Sequence, residues 1–169
     1  KMIGQLQDAG NTTTLAHYLD LLAGAGMVCG LEKYAGQKVR QRASSPKLQV
    51  LNTALVSAQH PRPAAEVRAD PVTWGHLCES SVGAHLVNAA SDHGLEVWYW
   101  RDRSREVDYV LRGRGGLAAI EVKSGRPKPG LPGMAAFEAA FGAARKLLVG
   151  TGGILFEEFL SIPPGQWVD

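Results

Sequence analysis

The sequence predicts an α/β protein in two parts. Residues 1–60 read as a helix-and-hairpin unit, and residues 74–169 as a mixed sheet flanked by helices. Three observations carry this. Apolar residues recur at helical spacing in Leu15, Tyr18, Leu19 and Leu22, and again in Leu77, Val82, Leu86 and Val87. Short β-rich runs bounded by turn residues occur at 96–100, 107–111 and 117–123. Between the parts stands His60-Pro61-Arg62-Pro63-Ala64-Ala65-Glu66, followed by Asp70-Pro71. Closely spaced prolines resist both helix and ladder, so residues 61–73 read as a linker.

In the first part a short helix is expected around residues 3–7, before Asp8-Ala9-Gly10. Asn11 and the threonines 12–14 supply caps for the next helix, which Gly24 and Gly26 end. Residues 27–31 then read as a strand, and 34–42 as a turn and returning strand. Helix, glycine-containing turn, helix and hairpin is the order of a winged helix-turn-helix. One more strand is expected at 47–52, and a short helix begins at Thr53.

The second part opens with a helix over 74–90, ending before His93-Gly94. The three strands follow. A Gly/Pro stretch at 125–133 leads into an Ala-rich helix over 134–144, and residues 146–149 form an apolar strand of the buried kind. The order α-β-β-β-α-β argues for an α/β sandwich rather than a doubly wound nucleotide fold.

Composition narrows the class. Of 169 residues, 45% are hydrophobic and 20% charged, which excludes wholesale disorder and leaves enough apolar surface for a core. No apolar run reaches the ~18 residues a membrane helix needs. The start, Lys1-Met2-Ile3-Gly4-Gln5-Leu6, has no signal-peptide apolar region and no initial Met, so a piece of a longer chain is expected. Two cysteines, Cys29 and Cys78, fit a reducing, cytoplasmic setting. The net charge of +2 alone does not argue for nucleic acid, but its distribution is uneven. Lys38, Arg40, Arg42 and Lys47 lie in a basic stretch suited to DNA phosphates, or to docking on another protein module.

The chemistry concentrates in 106–111, the loop Gly113-Arg114-Gly115-Gly116, and 117–123. With Arg112 facing Leu117, index counting sets Asp108 opposite Glu121 and Glu106 opposite Lys123. Strand alternation then puts Asp108, Glu121 and Lys123 on one face, and Val107, Tyr109, Leu111, Ile120 and Val122 on the other. Adjacent carboxylates repel unless one protonates or a cation sits between them. An oxygen-rich set of this kind suits Mg²⁺ or Mn²⁺, with Asp108 and Glu121 as ligands. Lys123 would orient a water or support a phosphate, and Glu79 on the preceding helix would complete the site. The same residues also read as plain cross-strand ion pairs. Trp98 and Trp100 share a face and read as packing residues, Cys78 reads as a small core residue, and His76 and His85 are too far apart on their helix for one metal.

Helix Glu79, strand Asp108 and then Glu121-Val122-Lys123 resemble the core of PD-(D/E)xK nucleases. The chain also resembles, over roughly residues 1–160, the C-terminal region of a group of prokaryotic AAA+ ATPases, labelled domain of unknown function 4143. The residues carrying this are Thr12-Thr13-Thr14-Leu15, Tyr18-Leu19-Asp20-Leu21-Leu22, Ser45-Pro46-Lys47-Leu48, Trp98-Tyr99-Trp100-Arg101-Asp102, Glu106-Val107-Asp108-Tyr109-Val110 and Ala119-Ile120-Glu121-Val122-Lys123-Ser124. The pattern departs at Asn52-Thr53-Ala54-Leu55, where the family commonly has Asp before Thr-Gly-Leu, and at Glu79-Ser80, where it commonly has Glu-Asn. The resemblance implies a winged helix followed by a restriction-endonuclease-like domain. It also implies an N-terminal ATPase module of the same chain, which would hold the ATP, since no G-x-x-x-x-G-K-[ST] occurs here. The functional expectation is nucleic-acid engagement with a Mg-dependent phosphodiesterase site. The competing expectation is a non-catalytic module that docks partners or regulates the ATPase, an oligomer being compatible with either.

Overall fold

In the computed structural model the described residues are 12–35, 45–125, 130–142 and 144–169. The helix expected at 3–7, most of the returning strand at 34–42, and with it Lys38, Arg40 and Arg42, lie outside them.

Helix α1, Thr12–Gly24, ends as the glycines require. Gly26 takes φ +68°, and the Met27 amide donates to the Leu22 carbonyl at 2.9 Å. Strand β1, Val28–Leu31, pairs antiparallel with β2, Lys47–Val50, so that Val28 faces Val50 and Leu31 faces Lys47. The run read as one more strand is therefore the partner of β1. Helix α2, Thr53–Ala58, follows with Asn52 accepting from the Ala54 amide as its N-cap.

Residues 61–73 are not an extended linker. They contain helix α3, Ala64–Ala69, and the start of α4, Pro71–His93. The prolines stand where a helix tolerates them. Pro63 is the α3 N-cap and Pro71 opens α4, where no intrahelical amide is needed. Asp70 caps α4 through Val72 and Thr73. Hydrogen bonds from the Thr73 hydroxyl and Arg62 hold its carboxyl down at about 2.

The second part is a mixed sheet in the order β3-β4-β5-β6: Glu96–Asp102, Arg105–Arg112, Leu117–Lys123 and Arg145–Gly150. The first three are antiparallel neighbours, and β6 joins β5 in parallel after the crossover helix α5, Pro132–Phe141. One face packs Tyr109, Leu111, Ile120 and Val149 against Val82 and Leu86 of α4, and Leu31 of β1 joins that cluster. The other packs Trp100, Val107, Val110 and Ala119 against Met134 and Phe137 of α5, with Tyr34 among them. Trp98 also packs on this second face, in the packing role expected of both tryptophans. The closing segment, not read from sequence, forms α6, Phe156–Ser161, and a 3-10 turn, Pro164–Trp167, whose Trp167 stacks on Phe159 at 5.4 Å.

Two irregularities position the site. Between Trp98–Val110 and Trp100–Val107 the β3–β4 register shifts by one, so Tyr99 alone stands opposite Asp108 and Tyr109. This bulge turns Val107 to the α5 face, away from Tyr109 and Leu111, with which strict alternation had grouped it. The sheet also divides. The β4–β5 ladder runs from Arg112–Leu117 to Tyr109–Ile120, then β4 continues with β3 and β5 with β6. Glu106 accordingly faces Arg101 of β3, not Lys123.

Close approach fixes α4 over this region. A Cβ on Gly83 would lie 2.1 Å from Gln49 Oε1 and 2.4 Å from the Tyr109 hydroxyl. Gly83→Ala should therefore lower stability by about 1–3 kcal/mol, the usual cost of overpacking. Urea denaturation checks this, and an unchanged midpoint would refute so tight a contact.

Candidate functional site

Four elements converge where the sheet divides. Helix α4 supplies Glu79, β4 supplies Asp108, β5 supplies Glu121 and Lys123, and the first residue of β2 supplies Lys47. Asp108 sits at the bulge, and its Oδ2 accepts from the Val122 amide at 2.8 Å. A carboxylate oxygen thus takes a ladder donor just past the last β4–β5 pair. This brings Asp108 and Glu121 to the same end of the hairpin, as index counting expected.

Glu121 is nine-tenths buried. Lys123 Nζ donates to its Oε1 at 2.5 Å, while Oε2 is buried with no hydrogen-bond partner among the described residues. Such an oxygen is costly to leave unmet. Lys47 Nζ lies 2.5 Å from Glu79 Oε1 and 3.3 Å from the Asp108 carbonyl, and it stands 4.4 Å from the centre of the Tyr109 ring. The Tyr109 hydroxyl is 2.9 Å from both Gln49 Oε1 and the Glu79 carbonyl, and its one proton serves one of them at a time. Burial first, and then the charges of Glu79 and Asp108, push the Tyr109 phenol far above its ordinary value.

The electrostatics follow from crowding. Burial, then Glu121 and Glu79, push the Asp108 carboxyl up to about 7, against the lowering pull of the Val122 amide and Lys47. Burial works against the Lys123 ammonium, but its hydrogen bond to Glu121 and the charges of Glu121 and Asp108 outweigh it and hold its pKa above the ordinary value.

Two clefts flank the cluster. One of about 370 Å³ is lined by Pro46, Lys47, Glu79, Tyr99, Arg101 and Asp108, among others. The second, of about 410 Å³, is lined by His76, Glu79, Val122, Lys123 and Ser124 with their neighbours. Glu79 borders both. Of the residues that sequence reading names as a site, Lys123 pairs with Glu121, and the charges of Glu121 and Glu79 act on Asp108. Sequence reading set Lys47 on a basic surface, whereas Lys47 is half-buried and paired with Glu79 inside the site. Its bond to Glu79 spans 32 residues, and no local spacing signals it. Among the described residues, no group of three or more His, Cys, Asp or Glu side chains is arranged to hold a metal ion. Cys78 is buried in the core, with its thiol pushed up to about 11 by burial.

The Asp108 shift has a consequence for stability. Between the ordinary value of 3.8 and about 7, the folded chain keeps a proton that the unfolded chain has lost. This contribution is full below about 4, declines as the pH rises to about 7, and is absent above that. Asp108→Asn keeps an acceptor for the Val122 amide and does not titrate. It should flatten this part of the pH profile and be more stable than wild type at pH 8, by up to several kcal/mol at about 1.4 kcal/mol per unit. Urea denaturation at several pH values tests it, and equal slopes in both proteins would overturn it.

The family model described as domain of unknown function (DUF4143) matches residues 74–159, which contain Glu79, Asp108, Glu121 and Lys123. No curated protein and no solved structure matches the chain. No helix among the described residues is long and apolar enough to cross a membrane.

Proposed function

The chain belongs to this family of unknown function, and we propose that it is the nucleic-acid-engaging region of an AAA+ ATPase, with a Mg²⁺- or Mn²⁺-dependent phosphodiesterase site. The observation that carries this reading is the divided sheet. At the division Asp108 and Glu121 come together, with a buried oxygen on Glu121 unmet among the described residues, and Asp108 is pressed toward neutrality by burial and then by the other acids. Hard oxygen donors in this state fit a hard divalent cation, held by Asp108 and Glu121 with Glu79 as the further donor. The ion would polarise a phosphoryl oxygen and activate water. Lys123, partly exposed and paired with Glu121, would hold a phosphate oxygen at the mouth of the second cleft.

The restriction-endonuclease-like reading of the second part is supported by the order α4-β3-β4-β5-α5-β6 and by the charges of Glu79 and Glu121 acting on Asp108, with Lys123 paired to Glu121. The winged-helix reading of the first part is supported by α1 followed by the β1–β2 ribbon. ATP would belong to the separate ATPase module, in the cytoplasm. DNA would be the partner engaged, with Lys38, Arg40 and Arg42 as phosphate contacts.

A second reading, a non-catalytic docking module of the ATPase, is favoured by one observation. Tyr18, Leu21 and Leu22 of α1 are exposed, and Leu22 shares a groove with exposed Leu55 and Val56 of α2. The two lysine–glutamate pairs would then be structural.

Nicking of plasmid and single-stranded substrates by the full-length protein, with ATP and Mg²⁺ or Mn²⁺, separates the two. Lys123→Met should keep metal binding and lose cleavage by roughly 100-fold or more. Asp108→Asn should lose both, because a neutral amide is a poor ligand for a hard cation. Variants that cut like wild type, or a wild type that cuts nothing, would remove the catalytic assignment.

A further inference from the structure

Lys47 has no role in the proposed chemistry, yet it is the residue most closely engaged with Glu79. Resting on the phosphodiesterase reading of this site, we propose that Lys47 is a latch: a built-in cation that holds Glu79 out of the metal's donor set until a nucleic-acid phosphate draws the ammonium away.

Three observations support it. The Lys47 ammonium is 2.5 Å from Glu79 Oε1, and its other contacts, the Asp108 carbonyl and the Tyr109 ring, hold it within the site rather than out in solvent. The acids are present, but among the described residues no three of them are assembled around a common point. Glu79 is the member taken by Lys47. It borders both clefts, Lys47 stands only in the first, and Glu121 and Lys123 belong to the strand beyond it.

The consequence is a competition. A divalent ion seeking Glu79 must first displace an ammonium from it. A phosphate entering the first cleft meets Lys47 and Arg101 together, and offers the ammonium another anion. Glu79 is then free for the metal. By linkage the effect is reciprocal. A phosphate backbone tightens metal binding by the same factor that metal tightens backbone binding, so the site assembles on its substrate rather than before it.

The test is Mn²⁺ titration of the folded chain by calorimetry, with the Mn²⁺-induced rise in melting temperature as a second readout. Lys47→Met should bind Mn²⁺ roughly tenfold more tightly than wild type, and Lys47→Arg, which keeps a cation for Glu79, should not. Lys146→Met removes the same charge from an exposed pair with Glu138, outside both clefts, and should leave the affinity unchanged. In a Glu79→Gln background, the Lys47→Met gain should vanish. A phosphorothioate oligonucleotide should tighten Mn²⁺ binding in wild type and have little effect in Lys47→Met. Equal Mn²⁺ affinity in wild type and Lys47→Met would overturn the latch and leave the metal site standing. A gain from Lys146→Met as large as that from Lys47→Met would reduce it to unspecific charge, and also overturn it. An oligonucleotide without effect on wild-type affinity would overturn the release step. Absence of Mn²⁺ binding in every variant would remove the metal site and the latch together.

Discussion

The hydrogen bond from the Val122 amide to the Asp108 carboxylate is the contact on which the site depends. At Tyr109 and Ile120 the β4–β5 ladder reaches its last pair, and the two strands turn to different neighbours. A dividing sheet frees backbone donors that must be met, and burial makes them expensive if they are not. Asp108 meets one with a side-chain oxygen. The bulge opposite Tyr99 makes this reachable, since one extra residue re-aims the side chain that follows Val107. The outer edge is held at the same point. Tyr99 exchanges backbone hydrogen bonds with Glu32 and Tyr34, and Lys33 bridges to it, so the bulge is pinned from both sides.

Charge is the second constraint. Three carboxylates and two ammonium groups occupy a half-buried space, and each lysine is taken by one glutamate. Asp108 is left with a backbone amide, and burial first, then the charges of Glu121 and Glu79, push its carboxyl toward neutrality. A neutral side chain at Asp108 would remove the repulsion, so the arrangement costs stability. Strain of this kind concentrates where charge is needed for chemistry.

How much of this was legible depends on whether the signal was local. The β4–β5 register could be read because Gly113-Arg114-Gly115-Gly116 fixes the loop, and Arg112 does face Leu117. From there, counting along two strands was enough to bring Asp108 to Glu121. The bulge could not be read, because Val107, Asp108 and Tyr109 alternate normally in sequence and the extra residue is counted against Tyr99, on another strand. Pro61 and Pro63 were read as helix breakers, and their place just before α3 reverses that meaning, since a proline ahead of a helix gives up no amide the helix would use. The closing helix Phe156–Ser161 has no side-chain cap to announce it and exists through packing, with Phe159 wholly buried.

The first part of the chain is bound into the site by a polar chain as well as by Lys47. Gln49, almost wholly buried on β2, donates to the Ser80 carbonyl of α4, and its oxygen lies in hydrogen-bond reach of the Tyr109 hydroxyl on β4. That hydroxyl also approaches the carbonyl of Glu79. One glutamine therefore ties together the ribbon, the helix carrying one acid and the strand carrying another. Buried polar groups in such a chain are costly when any partner is lost, which holds the three elements against one another. Gly83 is the complement of that requirement, because any side chain there would occupy the space in which Gln49 and Tyr109 meet. The ribbon that carries Lys47 is thus joined by polar contacts to the helix that carries Glu79 and to the strand that carries Asp108.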